Sequence, residues 1–238
     1  MKKENGIQDN GWEMQYKSKG LFAQRLYPNE SLVAFLGGEG LFKLPYEERK
    51  QIKILEVGCG SGANLWMMAK EGMDVYGNDI SEEALKIAKT HLHDKWGVEA
   101  HLTKAAFGCL PYSDSSFDYV VDVVSLQHID KLSSLTALKE IFRVLKPGGK
   151  FFSYRLSDHS CIYLSGGGSF IDAYTKDNVE DTGMPLNNNR TMSFWGVGTV
   201  NEMYGASGLA VKSIERHTRT YNNGLISLEY LAIVGVKE

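Results

Sequence analysis

The residues with the most chemical content lie in one short stretch, Lys53 to Leu65, "KILEVGCGSGANL". An apolar run stops at an acid, Glu56, and three glycines follow at alternate positions, Gly58, Gly60 and Gly62. Glycines spaced this way after a strand mark a backbone that comes very close to a ligand, because no Cβ stands in the way. Gly58 to Ala63 fits G-x-G-x-x-A, the dinucleotide fingerprint, and S-adenosylmethionine (SAM) is the other serious candidate. Asp79 lies 21 residues after Gly58, at the end of the next strand-like run, where a carboxylate can accept hydrogen bonds from ribose hydroxyls. Both ligands use such an acid, so Asp79 does not separate them. Glu56 does. A carboxylate where the strand opens onto the ligand would repel a pyrophosphate and suits the ammonium and sulfonium of SAM.

The elements that must position these groups follow an alternating rhythm. Lys53–Val57 reads as a strand, Ala63–Glu71 as a helix ended by Gly72, and Asp74–Asn78 as a second strand. Ser81 caps a helix running to about His93, and Val98–Ala105 reads as a third strand. The near-continuous valines of Phe117–Leu126 suit a fourth strand buried on both faces. Ser134–Leu145 is an amphipathic helix stopped by Pro147, and Lys150–Leu156 is a fifth strand. This order predicts a parallel sheet with helices on both faces. Upstream, residues 1–11 are polar and read as mobile, and Asn29 caps a helix over Glu30–Leu36. Residues 157–198 break the rhythm with "SGGGS" and "NNN", and read as an irregular substrate-side insertion. Thr199 and Glu202 form a capping box for a short helix ending near Gly205 or Gly208. Two alternating runs joined by Asn222–Gly224 then read as a terminal antiparallel hairpin, a departure from an all-parallel fold.

Four segments in register carry a resemblance. "ILEVGCGSG" is similar to the first motif of class I SAM-dependent methyltransferases and "VYGNDIS" to their second. "LPYSDSSFDYVVDVVSLQHI" resembles the central motif, and "EIFRVLKPGGKF" the entry to strand five. The resemblance covers roughly Ile52 to Tyr154. It implies an α/β three-layer Rossmann-like sandwich, with a seven-stranded, mostly parallel sheet of order 3-2-1-4-5-7-6 and an antiparallel seventh strand. The implied division is an N-terminal segment over residues 1–45, folding over the cofactor as a helical lid, and a SAM-binding domain over 46–238.

The resemblance also implies roles. Gly58, Cys59 and Gly60 match the loop passing the methionine part of SAM, Asp79 the ribose-binding acid, and Ile80 the residue packing on the adenine. Ala106 and Phe107 match the pair at the adenine edge, where many members carry Asp in place of Ala106. Asp122 matches the end of strand four, beside the methionine moiety. Tyr16, Arg25 and Tyr27 precede the sheet, and aromatic faces there can hold a sulfonium by cation–π attraction or pack a helix on the sheet. Cys59 reads as a small residue that fits rather than a nucleophile, with no base nearby in sequence. For acid or base work the candidates are His128 after strand four, and Asp158 and His159 after strand five, each of which can instead order its loop. Phe194 and Trp195 are candidates for the acceptor pocket.

The chain of 238 residues has 29 acidic against 26 basic residues and no basic block, which disfavours a nucleic-acid partner. The three cysteines show no metal-type spacing and read as free thiols of a reducing cytosol. No run reaches the length of a membrane helix and no signal core is present, so a soluble cytoplasmic protein is the expectation. The function implied is methyl transfer from SAM, yielding S-adenosylhomocysteine, to a small-molecule acceptor. A further likeness to bacterial methyltransferases found with cell-surface glycan biosynthesis suggests a sugar or metabolite hydroxyl. A nicotinamide-dependent oxidoreductase and a non-catalytic SAM-binding protein are the alternatives. The sequence leaves the acceptor atom and the oligomeric state open.

Overall fold

The computed structural model describes residues 11–165, 167–179 and 190–238. The polar start (residues 1–10) and the "NNN" run (187–189) lie outside them. In chain order the elements are α1 (Trp12–Lys19), α2 (Glu30–Gly38), α3 (Tyr46–Arg49), β1 (Lys53–Val57), α4 (Leu65–Lys70), β2 (Asp74–Asp79), α5 (Glu82–Thr90), β3 (His101–Lys104), β4 (Phe117–Val123), α6 (Lys131–Val144) and β5 (Leu145–Leu156). After β5 come α7 (Cys161–Ser165), β6 (Ser169–Phe170), β7 (Thr175–Val179), β8 (Arg190–Ser193), α8 (Val197–Ser207), β9 (Ala210–Tyr221) and β10 (Ile226–Val236).

The main sheet has the order β3-β2-β1-β4-β5-β10-β9. The pairs from β3 to β5 are parallel, whereas β10 runs antiparallel to both β5 and β9. Counting only main-sheet strands, this is 3-2-1-4-5-7-6 with the seventh antiparallel, as expected. Successive residues of each central strand face opposite layers. Ile54, Val121, Phe152 and Leu156 pack with Leu32, Leu36, Leu65 and Met68 from α2 and α4. Leu55, Val57, Val120, Phe151 and Ile233 pack with Leu138, Ile141, Val200 and Met203 from α6 and α8. Both faces of the sheet are therefore buried, which explains the valine-rich β4.

Local chemistry shifts several boundaries. The Asn29 cap forms, its side chain accepting from the Ser31 and Leu32 N–H groups. Ser81 caps α5 by accepting from the Ala84 N–H at 3.0 Å. α4 begins at Leu65 rather than Ala63, and β3 is shorter than the expected Val98–Ala105. β4 ends at Val123, three residues before the expected Leu126, because Asp122 Oδ1 accepts from the Ser125 and Leu126 N–H groups and turns the chain. α6 begins at Lys131 rather than Ser134, since Asp130 caps it through the Ser133 N–H. The Thr199–Glu202 capping box does not form: α8 already starts at Val197, and Glu202 pairs with Lys131 Nζ at 2.8 Å.

The largest correction concerns residues 157–198. They are not uniformly irregular, but carry α7 and a three-stranded antiparallel sheet, β6-β7-β8. Strands of two to five residues give too few alternations to reveal a period.

Candidate cofactor site

β1 delivers Glu56 to the carboxyl end of the sheet, where ligands of open α/β folds bind. Its side chain is 2% exposed. One oxygen, Oε1, accepts from Asn64 Nδ2 at 2.5 Å, while the buried Oε2 has no hydrogen-bond partner. Asn64 is itself fixed, because its Oδ1 accepts the Asn29 N–H at 2.9 Å. Burial pushes the Glu56 carboxyl up to about 8, against the opposing pull of Arg25 and the Asn64 amide. Arg25 is the cation that Glu56 feels, yet the two form no ion pair within 4 Å among the described residues. Arg25 Nε is also buried without a partner, and burial lowers the guanidinium's pKa while Glu56 raises it. An unpaired carboxylate oxygen and an unpaired guanidinium N–H thus lie buried within electrostatic reach of each other.

The glycine loop turns at Gly58 and Gly60, both at positive φ (67° and 53°). A Cβ at Gly60 would lie 2.3 Å from the Tyr16 hydroxyl and from Gln24 Oε1. At Gly58 it would lie 2.4 Å from Ser125 Cβ and 3.2 Å from the Phe107 ring. Cys59 points the other way: its sulfur packs into the core against Gly77. Only its backbone faces the loop, where the Cys59 N–H donates to the Asn78 carbonyl at 3.0 Å. Asp79 braces the loop from β2. Its Oδ2 accepts the Gly60 N–H at 2.9 Å and its Oδ1 the Ser81 N–H at 2.8 Å. Burial raises the Asp79 pKa, and the Ser81, Gly60 and Ile80 amides pull it back. Three amides on two oxygens leave one acceptor position for a ribose hydroxyl. Ile80, Ala106 and Phe107 are half-buried around this loop.

The N-terminal segment crosses the ends of three strands. Tyr16 donates to Gln24 Oε1 at 3.1 Å, and Gln24 Nε2 donates to Ser61 Oγ at 2.8 Å. The buried Tyr16 sits within electrostatic reach of Asp79, Cys59, Arg25 and Glu56. Tyr27 does not join it, packing instead edge-on against Trp66 and Trp96. Two further contacts were not legible in the sequence. Glu13 Oε2 accepts from Ser81 Oγ at 2.7 Å and from the Glu83 N–H at 3.2 Å, tying α1 to the start of α5. Trp12 meets His128 edge-on, with ring centroids 5.0 Å apart. An aromatic beside an acid is too common a pattern to signal either.

The remaining candidates separate. Asp122 is fully buried and engaged: Oδ1 accepts from the Ser125 hydroxyl and two backbone amides, and Oδ2 from Ser153 Oγ at 2.8 Å. His128 is 8% exposed and directly follows β4, with Nδ1 3.1 Å from the Thr191 carbonyl. A carbonyl only accepts, so Nδ1 carries the proton and Nε2 the lone pair in the neutral ring. Asp158 and His159 do form a pair, 2.8 Å between Oδ1 and Nδ1. Their loop is stitched to β10, where Glu229 accepts from Ser157 Oγ at 2.7 Å and lies 3.8 Å from His159. The His159 side chain is 58% exposed. Phe194 and Trp195 are both buried, in opposite layers.

The strand order, the antiparallel strand beside β5 and the acid–glycine–acid arrangement together define the fold of class I SAM-dependent methyltransferases. Residues 54–149 match the family of the methyltransferase domain. The ubiquinone biosynthesis O-methyltransferase of Thiobacillus denitrificans is 34% identical over 112 residues, covering 47% of this chain and 47% of that one. The ubiquinone/menaquinone biosynthesis C-methyltransferase of Rickettsia felis is 33% identical over 144 residues, covering 58% of this chain and 56% of that one. The chain thus spans about half the length of these curated relatives. Among solved structures, a SAM-dependent methyltransferase from Methanosarcina mazei superposes with a TM-score of 0.65 at 24% identity, over 78% of this chain and 92% of that one. No helix among the described residues is long and apolar enough to cross a membrane.

Proposed function

We propose that the protein transfers a methyl group from SAM to a small-molecule acceptor. The observation that carries this reading is the pair of orphaned buried atoms, Glu56 Oε2 and Arg25 Nε, within electrostatic reach of each other and of Tyr16 over the glycine loop. An amino-acid moiety complements both, with its ammonium toward Glu56 and its carboxylate toward Arg25. Asp79 is placed for the ribose hydroxyls and Phe107 for the adenine. A pyrophosphate would leave Glu56 facing like charge. Bound here, SAM supplies a methyl group on a cationic sulfur, open to in-line displacement with S-adenosylhomocysteine leaving. The chain's own task is to align the acceptor at near contact and exclude water, with Tyr16, Gln24 and Trp12 closing the cleft from above.

The two relatives are named as an O- and a C-methyltransferase of ubiquinone or menaquinone biosynthesis, so their names favour a small organic acceptor without fixing the atom. They give no support to a sugar. For a hydroxyl acceptor, His128 Nε2 is the base we assign, because His128 follows β4 next to β1, whereas His159 sits out toward β10. The test is transfer of labelled methyl from SAM to phenol, catechol and sugar panels, by the wild type and His128→Gln. An O-methylated product formed about 10²- to 10⁴-fold more slowly by the variant, with unchanged SAM binding, fits the assignment. Equal rates would remove His128 from the chemistry.

A further inference from the structure

Arg155 is one residue from the carboxyl end of β5 and is 1% exposed, so its guanidinium is held out of water. Buried cations are ordinarily paired with a carboxylate. Arg155 has no ion pair within 4 Å among the described residues; the acid it feels is Asp122, which is already occupied by Ser125, Leu126 and Ser153. Among the described residues its guanidinium makes one hydrogen bond, from Nη2 to Ser193 Oγ at 2.6 Å. The guanidinium lies 3.4 Å from the centroid of the Trp195 ring, which is also 1% exposed. Arg155 Nε and Trp195 Nε1 are both buried donors without an acceptor. Burial pushes the guanidinium's pKa down to about 10, which leaves it charged at neutral pH.

A buried guanidinium held by one hydroxyl, one ring face and an acid that is already engaged, with its own Nε–H and the Trp195 N–H both idle, is costly as a structural device, and an apolar residue of similar volume would serve the fold better. The cluster sits at the ligand edge of the sheet, on the strand next to β4, and is covered by the insertion through Ser193 and Trp195. The geometry points to an anion subsite at the end of β5, in which Arg155 and Trp195 receive a carboxylate carried by the methyl acceptor. This rests on the methyltransferase reading for the identity of the molecule that brings the carboxylate. A planar, singly charged group matches the charge and the flat donor edge of one guanidinium. A phosphate dianion would leave excess negative charge in a dry site near Asp122.

Benzoate, with neutral benzamide and inorganic phosphate as comparisons, provides the probe at fixed ionic strength and saturating S-adenosylhomocysteine. Benzoate is expected to raise the wild-type Tm by about 2–5 °C, benzamide and phosphate less. Arg155→Met is expected to fold, to keep its affinity for S-adenosylhomocysteine in calorimetry, and to lose the benzoate shift. No benzoate shift in the wild type, an equal shift with benzamide, or a retained shift in Arg155→Met overturns the subsite. Should Arg155→Met not fold, Arg155→Lys replaces it, and an undiminished shift there overturns it equally. Failure of the wild type to bind S-adenosylhomocysteine would instead sink the methyltransferase reading, and the benzoate comparison, repeated without that ligand, would still decide the anion site.

Discussion

Glu56 shows how one residue carries an argument from sequence to chemistry. The sign of its charge separates two cofactors in the sequence, and the fold leaves it buried, with one oxygen unpaired and within electrostatic reach of Arg25. The titration follows from that placement. The folded carboxyl stands at about 8 against an ordinary value of 4.5, so the folded protein holds a proton that the unfolded chain has lost in that window. Its contribution to stability is therefore fully present below about pH 4.5 and is lost as pH rises through about 8. A cationic ligand favours the charged carboxylate, so SAM affinity should climb with pH up to about 8 and binding near neutrality should release a proton. Calorimetry in two buffers of different ionisation enthalpy reads this directly; an identical heat in both would remove the linkage. What the residues alone left hidden was the electrostatic coupling of Arg25 to Glu56, since the sequence separation between the two residues carries no period or motif.

At the scale of elements, α1 depends on polar contacts to neighbours distant in sequence. Glu13 is partly desolvated, which raises its pKa, but the Ser81 hydroxyl, the Glu83 amide and Lys17 outweigh this and hold it down at about 2. With its folded pKa depressed, the stability it lends is present above about pH 4.5 and is lost as pH falls toward about 2. Glu13→Ala should lower Tm by about 2–4 °C, the size expected for one charge-assisted contact at a helix start. Amide exchange should quicken over residues 12–25 while the β1 and β4 amides stay protected. Uniform loss of protection would mean that α1 belongs to the core instead. The elements that were legible are those with a period or a cap: β4 from its valines, α2 from Asn29, α5 from Ser81. The β6-β7-β8 sheet was not, because its strands are too short to alternate and its order comes from contacts such as Thr191 to Asp177 and Arg155 to Ser193.

For the whole molecule, the topology was readable because two independent features agreed. The alternating strands and helices predicted a parallel sheet, and the Asn222–Gly224 turn predicted the antiparallel hairpin that distinguishes this order. The hairpin inserts β10 between β5 and β9, and the overhang of β10 supplies Glu229 to the loop after β5. The cofactor cleft we propose is assembled from the ends of β1, β2 and β4, beneath a segment that precedes them all. As we propose it, this assembly is a SAM site. Its most direct test is calorimetric titration with SAM, S-adenosylhomocysteine and NADH, on the wild type, Asp79→Ala and Arg25→Met. Micromolar binding of SAM or its product, weakened roughly 10- to 100-fold in each variant, is the result predicted for lost hydrogen bonds to charged groups. Binding of NADH alone, or SAM binding indifferent to both substitutions, would contradict it.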